Sequence, residues 1–129
     1  MQQPSTFQVY NASAGSGKTF TLVKEYLKVL LNSDDIFSFQ KILAITFTNK
    51  AAGEMKARVL SSLEDFADGK ENDLFNIIIH EIEVDKSTIQ LRSKNILDAI
   101  LQNYSAFSIT TIGSIPLFFS NISELVFAV

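Results

Sequence analysis

The run Ala12-Ser13-Ala14-Gly15-Ser16-Gly17-Lys18-Thr19 has the residue types and spacing of a phosphate cradle. The general pattern is G-x-x-x-x-G-K-[ST], and only its first glycine is replaced, by Ala12. Each residue has a chemical task. Gly15 and Gly17 let the backbone take positive φ and approach a ligand with no Cβ in the way. Successive amides from Ala14 to Phe20 then face phosphate oxygens, and the following helix adds the positive end of its dipole. Lys18 reaches the β- and γ-phosphates as a point charge, and the Thr19 hydroxyl ligates Mg²⁺. The bland alternative is a small-residue turn that carries a lysine. It accounts poorly for a whole Gly-x-Gly-Lys-Thr run between an apolar stretch and a helical pattern. The residues specify a nucleoside-triphosphate site.

A second constellation is Thr46-Phe47-Thr48-Asn49, at the carboxyl end of the apolar run Lys41–Phe47. In open α/β sheets ligands gather at that end of the strands. An exposed phenylalanine beside hydroxyl and amide groups suits single-stranded nucleic acid: the ring stacks on a base while the donors meet phosphate. The same residues also fit a core Phe47 followed by a Thr48-Asn49 helix cap.

The elements that must position these groups follow from periodicity. Residues 7–11 alternate and read as a short strand. Phe20, Leu22, Val23, Leu27, Leu30 and Leu31 mark an amphipathic helix from Lys18, which the Asn32-Ser33-Asp34-Asp35 turn ends. Lys41–Phe47 reads as a buried parallel strand. Ala51, Met55, Val59, Leu60, Leu63 and Phe66 mark a helix closed by Asp68-Gly69-Lys70, and Gly53 inside it costs about 1 kcal/mol relative to alanine. Residues 72–84 read as a helix, and Ser87 as the N-cap of another that ends near Tyr104. Phe107–Ile112 alternates as a third strand, and an apolar tail follows Gly113-Ser114. Strands alternating with helices predict an α/β fold with a parallel sheet and about three strands.

The chain has 129 residues, 47% hydrophobic and 19% charged, which indicates a single globular domain with a real core. With no cysteine, disulfides and thiolate metal sites are excluded. The amino terminus lacks the basic and apolar regions of a signal peptide, and no run approaches the ~18 apolar residues of a membrane span. A cytoplasmic location is therefore expected. A net charge of −3 leaves no global basic footprint for nucleic acid.

The phosphate loop, followed by Ile45-Thr46-Phe47-Thr48-Asn49-Lys50-Ala51-Ala52-Gly53-Glu54-Met55-Lys56, resembles the start of a superfamily 1 DNA helicase of the UvrD/Rep type. Residues 7–66 carry the match, and Ser108–Ile112 resembles the next motif strand. The opening Phe7–Thr19 and the helical insertion 71–104 lean toward the RecB/AddA subunits of helicase–nucleases. The resemblance implies a P-loop NTPase of RecA-like, three-layer architecture, represented here by one partial domain over 1–129. It implies ATP and Mg²⁺ as cofactors, held by Gly15, Gly17, Lys18 and Thr19. It also implies single-stranded DNA as partner, met by Thr46, Phe47, Thr48, Asn49 and Thr111, and a nuclease or helicase partner subunit in the full-length family. The further DNA motif, Thr-Ile-[His/Asp]-Ser-Phe, reads Thr111-Ile112-Gly113-Ser114-Ile115 here and departs at Gly113 and Ile115.

Phosphoryl transfer also needs an acid to hold Mg²⁺, a group to position water and an arginine finger. The resemblance places these in later parts of such motors. Ile77-Ile78-Ile79-His80-Glu81 is the nearest mimic of the acidic strand, but its flanks are helical and His80 reads as a helix residue. Asp34-Asp35 reads as a turn, and Glu124 as a solvated helix position in the divergent tail 113–129. The expectation is a chain that binds nucleotide without efficient hydrolysis or unwinding. The alternatives are a truncated module or non-functional fragment that associates through 115–129, and a small P-loop kinase.

Overall fold

Helix and strand positions follow the apolar spacing closely. A computed structural model describes residues 6–9, 16–46, 48–111 and 124–127, with backbone alone at 6–9, 16–19 and 124–127. Strand β1 (Thr6–Val9) leads through residues 10–15 to helix α1 (Ser16–Leu31). A 3-10 turn at Ser38–Lys41 feeds strand β2 (Ile42–Thr46), followed by helix α2 (Asn49–Ala67). Helices α3 (Asp73–Glu81) and α4 (Lys86–Gln102) precede strand β3 (Ile109–Thr111), and strand β4 (Glu124–Phe127) comes last.

All pairings are parallel, in the order β1-β4-β2-β3. Four strands form where the sequence suggested about three, and the fourth comes from the apolar tail. Glu124 opens β4, in register with Thr6 on one side and Ile42 on the other. It is a strand residue and not a helix position. A strand covered on both faces reads as an unbroken apolar run, which periodicity cannot separate from a buried helix.

Helices α1 and α2 share one core with the sheet. Tyr26, Leu27, Leu30 and Leu31 on α1 meet Met55, Val59, Leu63 and Phe66 on α2, all essentially inaccessible to water. The spacing of three and four along each helix lays these groups in one stripe. Each fully buried aliphatic side chain contributes about 1.5–3 kcal/mol. Phe66 meets Phe75 of α3 edge to face, with ring centroids 5.5 Å apart, and Ile78, Ile89, Ile96 and Ile100 extend the cluster through α3 and α4. Arg92 of α4 donates to the Leu31 carbonyl at 2.8 Å, which places a cation at the negative end of α1.

Caps set the boundaries. Asn72 caps α3 through its side chain, which accepts from the Phe75 amide at 2.9 Å. The N-cap of α4 is Asp85, two residues ahead of the expected Ser87. Hydrogen bonds from Thr88 and Ser87 hold the Asp85 carboxyl below its usual range. Asp85 takes the position without a side-chain bond to the helix amides, and the Ser87 hydroxyl donates to its carboxylate at 3.0 Å. Helix α4 ends at Gln102, close to the expected end near Tyr104, and a separate 3-10 turn follows at Tyr104–Ala106.

The glycines of α2 divide cleanly. Gly69 has φ +84°, its amide bonds the Phe66 carbonyl, and the Lys70 amide bonds Asp65, which together form a Schellman stop. Gly53 is exposed in mid-helix, and a Cβ there would meet nothing within 4 Å. Gly53→Ala is therefore expected to stabilise the chain by about 0.5–1 kcal/mol. Gly69→Ala is expected to destabilise it by about 1–2 kcal/mol, the cost of a left-handed side chain. Urea unfolding of the two variants checks both signs.

Candidate functional site at the carboxyl edge of the sheet

Because the strands are parallel, each helix that follows one begins at the same edge of the sheet. Helix α1 starts at Ser16, after β1, so Ser16, Gly17, Lys18 and Thr19 form its first turn. The first four amides of a helix have no intrahelical partner and carry its positive end. No acidic residue occupies that turn to oppose an anion. The chemistry of the turn fits a phosphate group: free amides, a lysine and a hydroxyl. Phe20 follows with 38% of its surface exposed. Ala14, Gly15 and the rest of the loop lie outside the described residues, as does Phe47.

The second junction is fully built around the Phe47 position. Thr48 has extended backbone (φ −126°, ψ 153°) and caps α2, its Oγ1 accepting from the Ala51 amide at 3.0 Å. Thr48, Asn49 and Lys50 are exposed, and the first turn of α2 again carries no acid. The expected contact residues Thr48 and Asn49 are thus open to a ligand, at a second helix N-terminus on the same edge. Lys50 joins them as a basic group that residue typing passed over. A lysine in the first turn of a helix opposes the dipole, and that placement is the signal for it.

Thr46 behaves differently. Only 2% of it is exposed, and its hydroxyl lies 3.0 Å from the Thr48 carbonyl and 3.3 Å from the Thr110 carbonyl, donating inward. It is paired in register with Thr111, which is half-buried at the end of β3. The structure therefore brings Thr46, Thr48, Asn49 and Thr111 together and leaves Thr46 without a face toward solvent. Gly113, Ser114 and Ile115 lie outside the described residues.

Glu81, the nearest mimic of a metal-holding acid, ends α3. Its carboxylate accepts from Lys28 at 2.6 Å and Lys24 at 3.5 Å, both on α1. The hydrogen bond from Lys28 holds the Glu81 carboxyl below its ordinary range, and the same bond raises Lys28. His80 beside it is exposed. This cluster ties α3 to α1.

The described elements form a parallel α/β sheet in which α1 and α2 open at one edge. The UvrD/REP helicase N-terminal domain family matches residues 2–117, and the chain belongs to that family. Among curated relatives, an ATP-dependent helicase/nuclease subunit of Exiguobacterium sibiricum is 46% identical over 54 residues, covering 42% of this chain and 5% of that protein. Proteins of the same name from Bacillus cereus AH820 and Bacillus thuringiensis Al Hakam are 45% identical over 53 residues, covering 41% of this chain and 4% of theirs. The chain thus matches only a small fraction of the length of these relatives. No solved structure matches it. Among the described residues, no helix is long and apolar enough to cross a membrane.

The Glu81 cluster gives a pH signature. A carboxylate whose pKa is lowered by folding contributes stability above its unfolded value and loses it as pH falls through the folded one. Glu81→Gln is therefore expected to melt below wild type at pH 7. The gap should close as pH drops beneath the usual carboxylate range, in thermal scans at constant ionic strength.

Proposed function

We propose that this chain is the nucleotide-binding part of an ATP-dependent DNA motor of RecA-like P-loop architecture. In this reading Ser16, Gly17, Lys18 and Thr19, with Ala14, Gly15 and the Phe20 amide, hold ATP and Mg²⁺. Thr48, Asn49 and Thr111 meet single-stranded DNA, with Phe47 stacked on a base. The observation that carries the reading is the shared edge: the Gly-Lys-Thr turn opens α1 and the Thr48 cap opens α2 on the same side of one parallel sheet. The relatives, named as helicase/nuclease subunits, support a helicase assembly with a partner subunit for the parent protein.

Within the chain, Lys18 binds the β- and γ-phosphates and Thr19 supplies a hydroxyl for Mg²⁺, which when bound neutralises charge on the phosphates. Glu81, the nearest sequence mimic of the acidic strand, is committed to Lys24 and Lys28. The reading is therefore of a chain that binds nucleotide with little hydrolysis. Lys18→Ala is expected to weaken a fluorescent ATP analogue by about tenfold or more, the worth of a charge-assisted bond. Unchanged affinity would refute the phosphate assignment, and phosphate release at the rate of complete motors would refute the weak-hydrolysis part. Phe47→Ala is expected to lose about 1–3 kcal/mol of oligonucleotide affinity, the value of one stacked base. A fall in melting temperature with DNA affinity unchanged would instead place Phe47 in the core.

A further inference from the structure

We infer that Thr46 is a positioning residue whose buried hydroxyl locks the Thr48–Asn49 junction and the Thr111 strand end into one fixed relation. The inference rests on the proposed DNA edge for its functional consequence and on geometry for the lock itself. Thr46 is the last residue of β2 and is 2% exposed, so it meets no ligand directly. Its position follows the apolar run Ile42-Leu43-Ala44-Ile45, where valine would fill the same volume without a polar group to bury. A buried hydroxyl costs free energy unless it is hydrogen-bonded, and this one faces two carbonyls.

Those carbonyls belong to the two junctions. The Thr48 carbonyl, 3.0 Å from Thr46 Oγ1, also accepts the Ala52 amide, while the Thr48 hydroxyl accepts Ala51. The Thr46 hydroxyl thereby fixes the residue from which α2 grows and beside which Asn49 and Lys50 are displayed. The Thr110 carbonyl, at 3.3 Å, belongs to β3, a three-residue strand that, among the described residues, pairs with β2. The side-chain bond adds to that short ladder. One hydroxyl proton shared between the two carbonyls holds both groups that would flank a single strand.

The test compares wild type, Thr46→Val, which keeps shape and removes the donor, and Thr46→Ser, which restores it. Amide hydrogen exchange at Ala51, Ala52 and residues 109–111 reads the lock, and anisotropy of a fluorescein-labelled oligo-dT with the full chain reads its consequence. In Thr46→Val, exchange at both junctions should rise and oligo-dT affinity should fall, each by about two- to tenfold, the range of one hydrogen bond. Thr46→Ser should return both toward wild type. Faster exchange at one junction alone, unchanged affinity despite faster exchange, or no rescue by serine overturns the inference. If wild type ignores oligo-dT, the DNA edge fails and the positioning role with it, while exchange still reports separately on the lock. Should Thr46→Val not fold, the Thr46 hydroxyl proton of wild type decides by NMR. A slowly exchanging proton close to Thr48 and Thr110 supports the lock, and a rapidly exchanging one overturns it.

Discussion

Parallel strands cannot be joined by a tight turn, and the architecture of this chain depends on that constraint. The chain must cross back over the sheet between them, and α1 and α2, which follow β1 and β2, open at the carboxyl edge. The return paths deliver the positive ends of α1 and α2 to one side. Neither first turn carries an acid. The helix dipoles favour negative charge at this edge, and the exposed Lys50 places a positive charge beside the start of α2.

Rigidity at that edge comes from packing behind it. The stripe on α2 and the matching stripe on α1 bury Leu, Met, Val and Phe groups against β2, all five residues of which are buried. Arg92 on the Leu31 carbonyl and the Glu81–Lys28 contact fasten α3 and α4 to the later turns of α1.

Much of this was legible in the residues. The spacing of Met55, Val59, Leu63 and Phe66 gave α2 its buried face, although Ala52 is buried there and the expected Ala51 is only half-buried. The cap at Thr48 and the stop at Gly69 were readable because few residues satisfy those backbone positions. Three things were not legible. Helix α4 offered two cap formers two residues apart, Asp85 and Ser87, and residue type alone does not choose between them. Strand β4 lacked alternation because it lies inside the sheet. The inward aim of Thr46 was hidden for the same reason, since a strand buried throughout carries no period of two to separate inside from outside.

The interior place of β4 has a kinetic consequence. Strand β1 pairs with β4 alone, so Thr6 waits for Glu124 before it has a sheet partner. At synthesis rates of about 5–20 residues per second, the helical core between them is available for a few seconds beforehand. The helices and β2 can condense through short-range contacts, while closing the sheet around β4 is a long-range and slow event. Strand β1 thus takes its place beside β4 only in the last step, after the helix that follows it has already packed.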